Sequence, residues 1–341
     1  MHLSGEEPVA ESPRVRDIYA ARRRIAGVAV RSPLVPSPSL AARAGAEVLL
    51  KLETVQPTGA FKLRGAANAV AALDDASRAR GVVCCSTGNH GRAVAYAARA
   101  AGVRAVVCLS ALVPAVKVEA VEALGAEVRR VGRSQDEAQV EVDRLVAEEG
   151  MVEIPPFDHA DVIAGQGTIG VELFEDRPDL EAIVVPLSGG GLVGGIALAA
   201  KAIHPAVRIV AISMDRGAAM ALSLAAGRPV QVEEVASLAD SLGGGIGLAN
   251  RYTFALCRDL IDEVIRLEEA EIYRGMRALF LEDRIVCEGG CAVGPAALLA
   301  GKLRLEGPTA MIVSGRNVDM EQFAAVAAGR PVRLGELTVE G

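Results

Sequence analysis

Glycine-bearing turns follow short β-branched apolar runs at three places in this chain. STGNHG (86–91) follows VVCC, SGGGL (188–192) follows AIVVPL, and SGRN (314–317) follows TAMIV. A strand that ends at a glycine-rich turn and continues into a helix presents backbone N–H groups, which bind phosphate or carboxylate well. In open α/β sheets such turns lie at the carboxyl ends of strands, where ligands bind. The pattern predicts an α/β enzyme.

Runs typical of strands alternate with helical patterns in two regions, which is typical of parallel sheets with crossover helices. The first region contains VVCC, VRAVVCL, AEVRRV and MVEI, and its helices end near Gly102, Gly125 and Gly150. The second region, from Ala182, contains AIVVPL, VRIVAIS, EVIRL and TAMIV. We therefore expect an α/β fold with two open twisted sheets and flanking helices.

The length of 341 residues exceeds that of one ordinary core and suits two domains. We expect a large domain formed by residues 1–80 and 156–341. A small domain, residues 81–155, is expected to be inserted in it.

Several segments carry residues that are typical of helix starts. Pro114 suits the first position of a helix, and Ser134 with Glu137 predicts a capping box. In PTGAFKLRG (57–65), Lys62 lies just inside a helix start that Thr58 could cap. A lysine near a phosphate-binding turn suggests an aldehyde cofactor.

Composition narrows the choice of partners. Hydrophobic residues make up 51% of the chain and the net charge is −7, but no window has the unbroken apolar length of a membrane span. Nucleic acid or anionic lipid would require a basic face, so we expect small-molecule partners. The segment MHLSGEEPVAESPRVRD lacks the apolar core of a signal peptide, which predicts a cytoplasmic protein.

The six cysteines are scattered through apolar surroundings, and we expect buried, reduced thiols. Cys287 and Cys291 are spaced i,i+4, but the four histidines lie elsewhere in the sequence. A zinc site would require further ligands of this kind, so packing is the favoured interpretation of this pair.

A competing interpretation starts from the SGGGLVGG turn. Gly189, Gly191 and Gly194 satisfy GxGxxG after a strand, and Asp215 ends the next strand, as in a dinucleotide site. This alternative is a nicotinamide-dependent oxidoreductase or nucleotide-binding module, but it leaves Lys62, STGNHG and SGRN without a role. The glycines could also serve only tight turns and close packing.

Taken in order, these motifs resemble the fold type II pyridoxal phosphate enzymes, specifically the threonine dehydratase and serine racemase family. The matching stretches are KLETVQPTGAFKLRGA, STGNHGRAVAYAA, VIAGQGTIGVELFE, VPLSGGGLVGGIA, SLADSLGGGIGL and VSGRNVD. The resemblance covers most of the chain and implies the tryptophan synthase beta-like fold. SLADSLGGGIGLANRYTFALCRDL and GRSQDEAQ look most like the dehydratase of hydroxyectoine catabolism.

The resemblance implies pyridoxal 5'-phosphate as cofactor, with Lys62 carrying it as a Schiff base and Phe61 lying against it. Asn89 would bond the ring hydroxyl oxygen, and Ser314 would face the pyridine nitrogen. The phosphate would be held by the N–H groups of Gly189, Gly190, Gly191 and Leu192.

The resemblance also assigns the first glycine turn to the substrate. The carboxylate-binding residues would be Ser86, Thr87, Gly88, Asn89 and His90. Lys62 would remove the α-proton, and the β-hydroxyl would leave, giving a 2-oxo acid and ammonia. Thr87 occupies the position of a racemase serine that protonates the opposite face of Cα, so amino acid racemisation is the alternative. His90 is mostly a turn-supporting residue in the family.

Other features stay open at this point. Relatives with a cation site carry an acidic residue where this chain has Ser213. Asp215 lies close to it in the sequence, and Asp240 matches another acidic position of the family. Glu288 is either an exposed acid at a helix start or a substrate-binding group. Relatives imply a homodimer or a higher homo-oligomer. Phe157, Arg133 and the 241–251 loop are expected to shape the specificity pocket.

Overall fold

The computed structural model describes residues 12–86, 88–113 and 115–341. In chain order the strands are β1 (Leu34–Pro36), β2 (Val48–Leu52), β3 (Val82–Cys85), β4 (Ala105–Leu109), β5 (Glu127–Arg130), β6 (Val152–Glu153), β7 (Ala182–Pro186), β8 (Arg208–Met214), β9 (Glu263–Leu267), β10 (Thr309–Val313), β11 (Val332–Leu334) and β12 (Leu337–Val339). The helices are α1 (Val15–Arg24), α2 (Pro38–Ala44), α3 (Lys62–Ala71), α4 (Asp75–Arg80), α5 (Asn89–Ala101), α6 (Ala115–Glu122), α7 (Gln135–Glu149), α8 (Ala160–Asp176), α9 (Gly191–Ile203), α10 (Ala219–Ala226), α11 (Thr253–Leu260), α12 (Glu269–Asp283), α13 (Val293–Leu299) and α14 (Met320–Ala327).

The larger sheet has six strands in the order β1-β2-β10-β7-β8-β9. Strand β1 runs antiparallel to β2, and the other neighbours are parallel. Every residue of β7 and β10 is buried, as expected for parallel strands covered by helices on both faces. The sheet confirms the strands expected from AIVVPL, VRIVAIS, EVIRL and TAMIV.

The smaller sheet has four parallel strands in the order β5-β4-β3-β6. It confirms the strands expected from VVCC, VRAVVCL, AEVRRV and MVEI, and with the larger sheet it confirms the α/β fold class. The division into domains 1–80 with 156–341 and 81–155 stays a prediction. All six cysteines are buried and reduced, as expected. Among the described residues, no helix is long and apolar enough to cross a membrane.

The structure differs from the sequence-based expectation at several element ends. Helix α6 ends at Glu122, before Gly125, which has positive φ in the turn that follows. Ser134 Oγ accepts from the Glu137 N–H at 3.1 Å, but the Glu137 carboxylate accepts from the N–H of Arg133, so only half of the capping box forms. Pro114 lies outside the described residues.

Three helices approach so closely that glycine is required where they meet. A Cβ on Gly165 of α8 would lie 2.5 Å from the carbonyl oxygen of Arg64 and 2.6 Å from the Cα of Gly65, both in α3. A Cβ on Gly195 of α9 would lie 2.8 Å from the N atom of Gly167 in α8. These crossings place the first turn of α3 against α8, and α8 against α9.

A buried ionic network fixes the same first turn of α3. The Arg64 guanidinium donates to both oxygens of Glu53 at 2.8 Å and to those of Glu172 at 2.6 and 2.9 Å. Lys51 Nζ lies 2.8 Å from a Glu172 oxygen and donates to the Ser32 carbonyl at 2.7 Å. Burial raises the pKa of Glu172, but hydrogen bonds and charge from Arg64 and Lys51 outweigh it and lower the pKa. Two cations therefore balance two carboxylates inside the core.

Removing one member of this network leaves a buried charge without its partner. Arg64→Met is expected to lower the free energy of unfolding by about 3–5 kcal/mol, because Glu53 and Glu172 stay buried and lose their shared cation. Urea unfolding followed by circular dichroism measures this loss. Arg144→Met, on the exposed face of α7, is the matched control and should leave the unfolding free energy nearly unchanged. Equal effects of the two substitutions would contradict a structural role for the network.

Candidate active site

A cavity of about 640 Å³ lies at the carboxyl ends of β3, β7 and β10, where the three glycine turns begin. This is the position at which open α/β sheets bind ligands. The cavity wall contains every described residue that the sequence analysis assigned to the cofactor or to the substrate carboxylate: Phe61, Lys62, Ser86, Gly88, Asn89, His90, Gly189, Gly190, Gly191, Leu192 and Ser314. Thr87 lies outside the described residues.

Lys62 is the first residue of α3, and its half-buried side chain forms part of the cavity wall. Its Nζ donates to the Pro156 carbonyl at 2.6 Å and lies 5.4 Å from the ring centre of Phe61. Burial lowers the pKa of Lys62 to about 8, although the negative charge of Glu288 opposes the shift. A lysine with this pKa is a better nucleophile and base near neutral pH than an ordinary one.

The expected cap by Thr58 is wrong. Helix α3 begins with Phe61 as N-cap and has no side-chain cap, and Thr58 Oγ1 is buried with no partner among the described residues. A cap must directly precede the first helical residue, and Thr58 is separated from it by the turn that Gly59 closes onto Gln56. The N–H of Phe61 instead donates to the Ser314 carbonyl at 2.9 Å, which ties α3 to the end of β10.

The start of α9 is made of glycines that line the cavity. Gly190 is the N-cap with φ of +88°, and a Cβ there would lie 2.7 Å from Cys257 Sγ. At Gly191 a Cβ would lie 3.0 Å from the Cβ of Phe157, whose ring also fills the space beside Gly189. The first N–H groups of a helix have no partner within the helix, and the dipole there favours anions. The turn therefore offers an anion site.

Asn89 is fixed in orientation by two neighbours. Its Nδ2 donates to both oxygens of Glu288, at 2.8 and 3.0 Å, and its Oδ1 accepts from Asn317 Nδ2 at 2.5 Å. Asn317 also donates to the Thr58 carbonyl at 2.8 Å. Glu288 is only 5% exposed, so its interpretation as an exposed acid is wrong. Burial raises the pKa of Glu288, and the hydrogen bond from Asn89 opposes this shift.

His90 has the environment of a supporting residue. Its Nε2 lies 2.7 Å from the Ile154 carbonyl oxygen, which can only accept, so Nε2 carries the proton. Burial, followed by the charge of Lys62, lowers the pKa of His90 to about 3. The imidazole is therefore neutral at physiological pH and connects the first glycine turn to the segment that follows β6.

Comparison with known proteins decides the family. Residues 25–315 match the pyridoxal-phosphate dependent enzyme family. The chain belongs to this family. A Sinorhizobium fredii protein provisionally named threonine dehydratase is 54% identical over 316 residues, 92% of this chain and 95% of that protein. The catabolic L-threonine dehydratase of Escherichia coli is 36% identical over 329 residues, 96% of this chain and 98% of that protein. Maize serine racemase superposes with a TM-score of 0.87 at 36% identity, covering 91% of this chain and 95% of that chain.

The residues of this pyridoxal-phosphate dependent enzyme fit its cofactor. The cavity combines a lysine of lowered pKa with an anion site made of glycine N–H groups, which suits an aldehyde that carries a phosphate. Family membership favours pyridoxal phosphate over the nicotinamide alternative that the GxGxxG match suggested. Among the described residues, no group of three or more His, Cys, Asp or Glu side chains could hold a metal ion.

Sequence reasoning missed Gln166 as a residue of the site. It lies in α8, is 1% exposed and lines the cavity, and neither of its amide atoms has a partner among the described residues. The position of Gln166 between Gly165 and Gly167 was the available signal. Phe157 lines the cavity as expected, and so does the first part of the 241–251 loop, from Ser241 to Gly245 and at Gly247. Arg133 is exposed and lies outside the lining, as do residues 248–251.

The lowered pKa of Lys62 predicts unusual reactivity in the cofactor-free protein. Reductive methylation of Lys62, followed from pH 6 to 11 by peptide mass spectrometry, should have its midpoint near pH 8, because only the neutral amine reacts. A midpoint near 10.5, the ordinary value, would contradict the effect of burial.

The variant Glu288→Gln tests the contribution of the Glu288 charge to the pKa of Lys62. The Glu288 carboxylate raises the pKa of Lys62, so its removal should move the midpoint to lower pH. A midpoint that moves upward would show that Glu288 acts on Lys62 other than through its charge.

Proposed function

We propose that this enzyme eliminates water from a β-hydroxy amino acid to give a 2-oxo acid and ammonia. The observation that best supports this function is a neutral hydroxyl, Ser314, at the end of β10 in the same cavity as Lys62. In this arrangement Lys62 carries the cofactor, Phe61 lies against it, Asn89 bonds the ring hydroxyl and Ser314 faces the ring nitrogen. The phosphate is held by the N–H groups of Gly189, Gly190, Gly191 and Leu192.

Lys62 supplies the base. When bound, pyridoxal phosphate takes up the electron pair that remains on Cα after proton loss. The amino group of the substrate would replace Lys62 on the cofactor, and the freed Lys62 amine would accept and hold the α-proton. The β-hydroxyl then leaves as water, and the released enamine is hydrolysed to the 2-oxo acid and ammonia.

Ser314 favours elimination over other outcomes. A hydroxyl does not keep the ring nitrogen protonated as a carboxylate would, so the bound cofactor is a weaker electron sink. Loss of the β-substituent would then be favoured over return of a proton to Cα. The buried setting of Ser314, 7% exposed, excludes most water from this contact.

The substrate carboxylate is assigned to the turn that begins α5. Gly88 donates its N–H to Ser86 Oγ at 3.3 Å, and Asn89 begins the helix, so N–H groups and the positive dipole end face the cavity. We assign Ser86, Thr87, Gly88, Asn89 and His90 to this role. Thr87 also carries the hydroxyl that would reprotonate Cα in the alternative function, racemisation, which the likeness to maize serine racemase favours.

The proposed substrates are threonine, serine and 3-hydroxyaspartate, with a β-hydroxy amino acid from hydroxyectoine breakdown as the narrower choice. The segments SLADSLGGGIGLANRYTFALCRDL and GRSQDEAQ support that choice, and residues from Ser241 to Gly245 line the cavity. We also propose that the enzyme acts in the cytoplasm as a homodimer or higher homo-oligomer.

Product analysis tests the proposed reaction. The purified enzyme with pyridoxal phosphate is given each amino acid, and 2-oxo acid, ammonia and the chirality of the remaining substrate are measured. We expect equal amounts of 2-oxo acid and ammonia from at least one β-hydroxy amino acid. Lys62→Ala should lower kcat by at least about 10²–10⁴-fold, because the base is removed. Turnover retained in this variant, or racemised substrate in excess of 2-oxo acid, would refute the assignment.

The role of Ser314 predicts a change in product ratio. Ser314→Asp should hold the ring nitrogen protonated and raise the ratio of racemised substrate to 2-oxo acid, because a longer-lived carbanion is reprotonated more often. Chiral chromatography of the reaction mixture measures this ratio. An unchanged ratio would contradict the placement of Ser314 at the ring nitrogen.

A further inference from the structure

A buried thiol contacts the turn that presents Ser314. Cys291, 1% exposed, ends the 3₁₀ turn Gly289–Cys291, and its Sγ lies 3.2 Å from Ser314 Oγ. The same sulfur lies 2.8 Å from both the N atom and the carbonyl oxygen of Gly315. Ser314 and its successor are therefore held on one side by a single sulfur atom.

The hydrogen-bond roles of this sulfur follow from its surroundings. Burial, followed by the charge of Glu288, raises the pKa of Cys291 well above its usual value, so the thiol keeps its proton. The Gly315 carbonyl can only accept, so the S–H proton goes to it, and the Gly315 N–H donates to the sulfur. Ser314 Oγ therefore receives no proton from Cys291.

The Ser314 hydroxyl proton has two acceptors to choose between, the Cys291 sulfur and a ring nitrogen in the cavity. Sulfur is a weak acceptor, and this sulfur already accepts from Gly315. An unprotonated pyridine nitrogen is a much stronger acceptor. The Ser314 proton is therefore available to a ring nitrogen in the cavity, while its oxygen stays in place.

We propose that Cys291 is a positioning residue that holds Ser314 Oγ in place and leaves its proton free for an unprotonated ring nitrogen of the bound cofactor. The inference rests on the proposed placement of Ser314. If Cys291 has this role, residue 291 must carry a thiol and not a hydroxyl, so that the Ser314 proton stays free. A serine there would accept the Ser314 proton more strongly and turn an oxygen lone pair toward the ring nitrogen, which favours the protonated ring.

The protonation state of the ring nitrogen is measured directly by nitrogen NMR of enzyme loaded with ¹⁵N-labelled pyridoxal phosphate. Protonation of a pyridine moves this signal upfield. Cys291→Ser is expected to shift the signal toward that of Ser314→Asp, which provides the protonated reference. Cys287→Ser is the matched control, since Cys287 is equally buried four residues earlier and packs in the hydrophobic core. Its signal should equal that of the unchanged enzyme.

Two further variants separate the possible failures. Cys291→Ala, which removes the sulfur without adding a hydroxyl, should raise the Kd of pyridoxal phosphate several-fold and leave the ring nitrogen unprotonated. The inference would be overturned if Cys291→Ser and Cys291→Ala both gave the nitrogen signal and the Kd of the unchanged enzyme while Ser314→Ala shifted the signal. If Ser314→Ala leaves both signal and Kd unchanged, the proposed placement of Ser314 is wrong, and the role of Cys291 is wrong with it.

Discussion

The position of Lys62 depends on the buried ion pairs of Arg64, two residues further along α3. Arg64 joins Glu53, after β2, to Glu172 in α8, and Lys51 completes the balance of charge. Removing these charges from water costs free energy, and only full pairing inside the core offsets that cost. The network thereby fixes how α3 meets the sheet and the neighbouring helix. The reactive amine takes its location from a group of charges that never contacts the cavity.

Glycines, which have no side chain, are as important to the site as the residues whose side chains line it. At Gly165 and Gly195 the lack of a Cβ lets three helices approach until backbone meets backbone. At Gly190 and Gly191 it leaves room for Cys257 and Phe157, which pack against the start of α9. Glycine in a helix lowers its stability relative to alanine, by about 1 kcal/mol per residue. The close packing and the anion site together account for that cost.

Local patterns predicted most of the fold and most of the cavity wall. VVCC and TAMIV are strands because β-branched residues suit a buried sheet, and Lys62, Asn89 and Ser314 lie in the turns that follow them or beside them. The predictions that were wrong concern residues whose contacts lie far away in the sequence. Glu288 could not be recognised as buried because its partner Asn89 is 199 residues away. The short strands β1, β11 and β12 have too few residues for a pattern, and Thr58 was misplaced because the turn at Gly59 delays the helix.

The hydrogen bonds among Asn89, Glu288 and Asn317 bring together segments that are far apart in the chain. During synthesis the amino-terminal part emerges first, so the reactive lysine leaves the ribosome long before the asparagine that orients its neighbour. The growing chain thus carries a nucleophilic amine with no complete cradle around it. The hydrogen bonds that orient Asn89 can therefore form only after Asn317 has been synthesised.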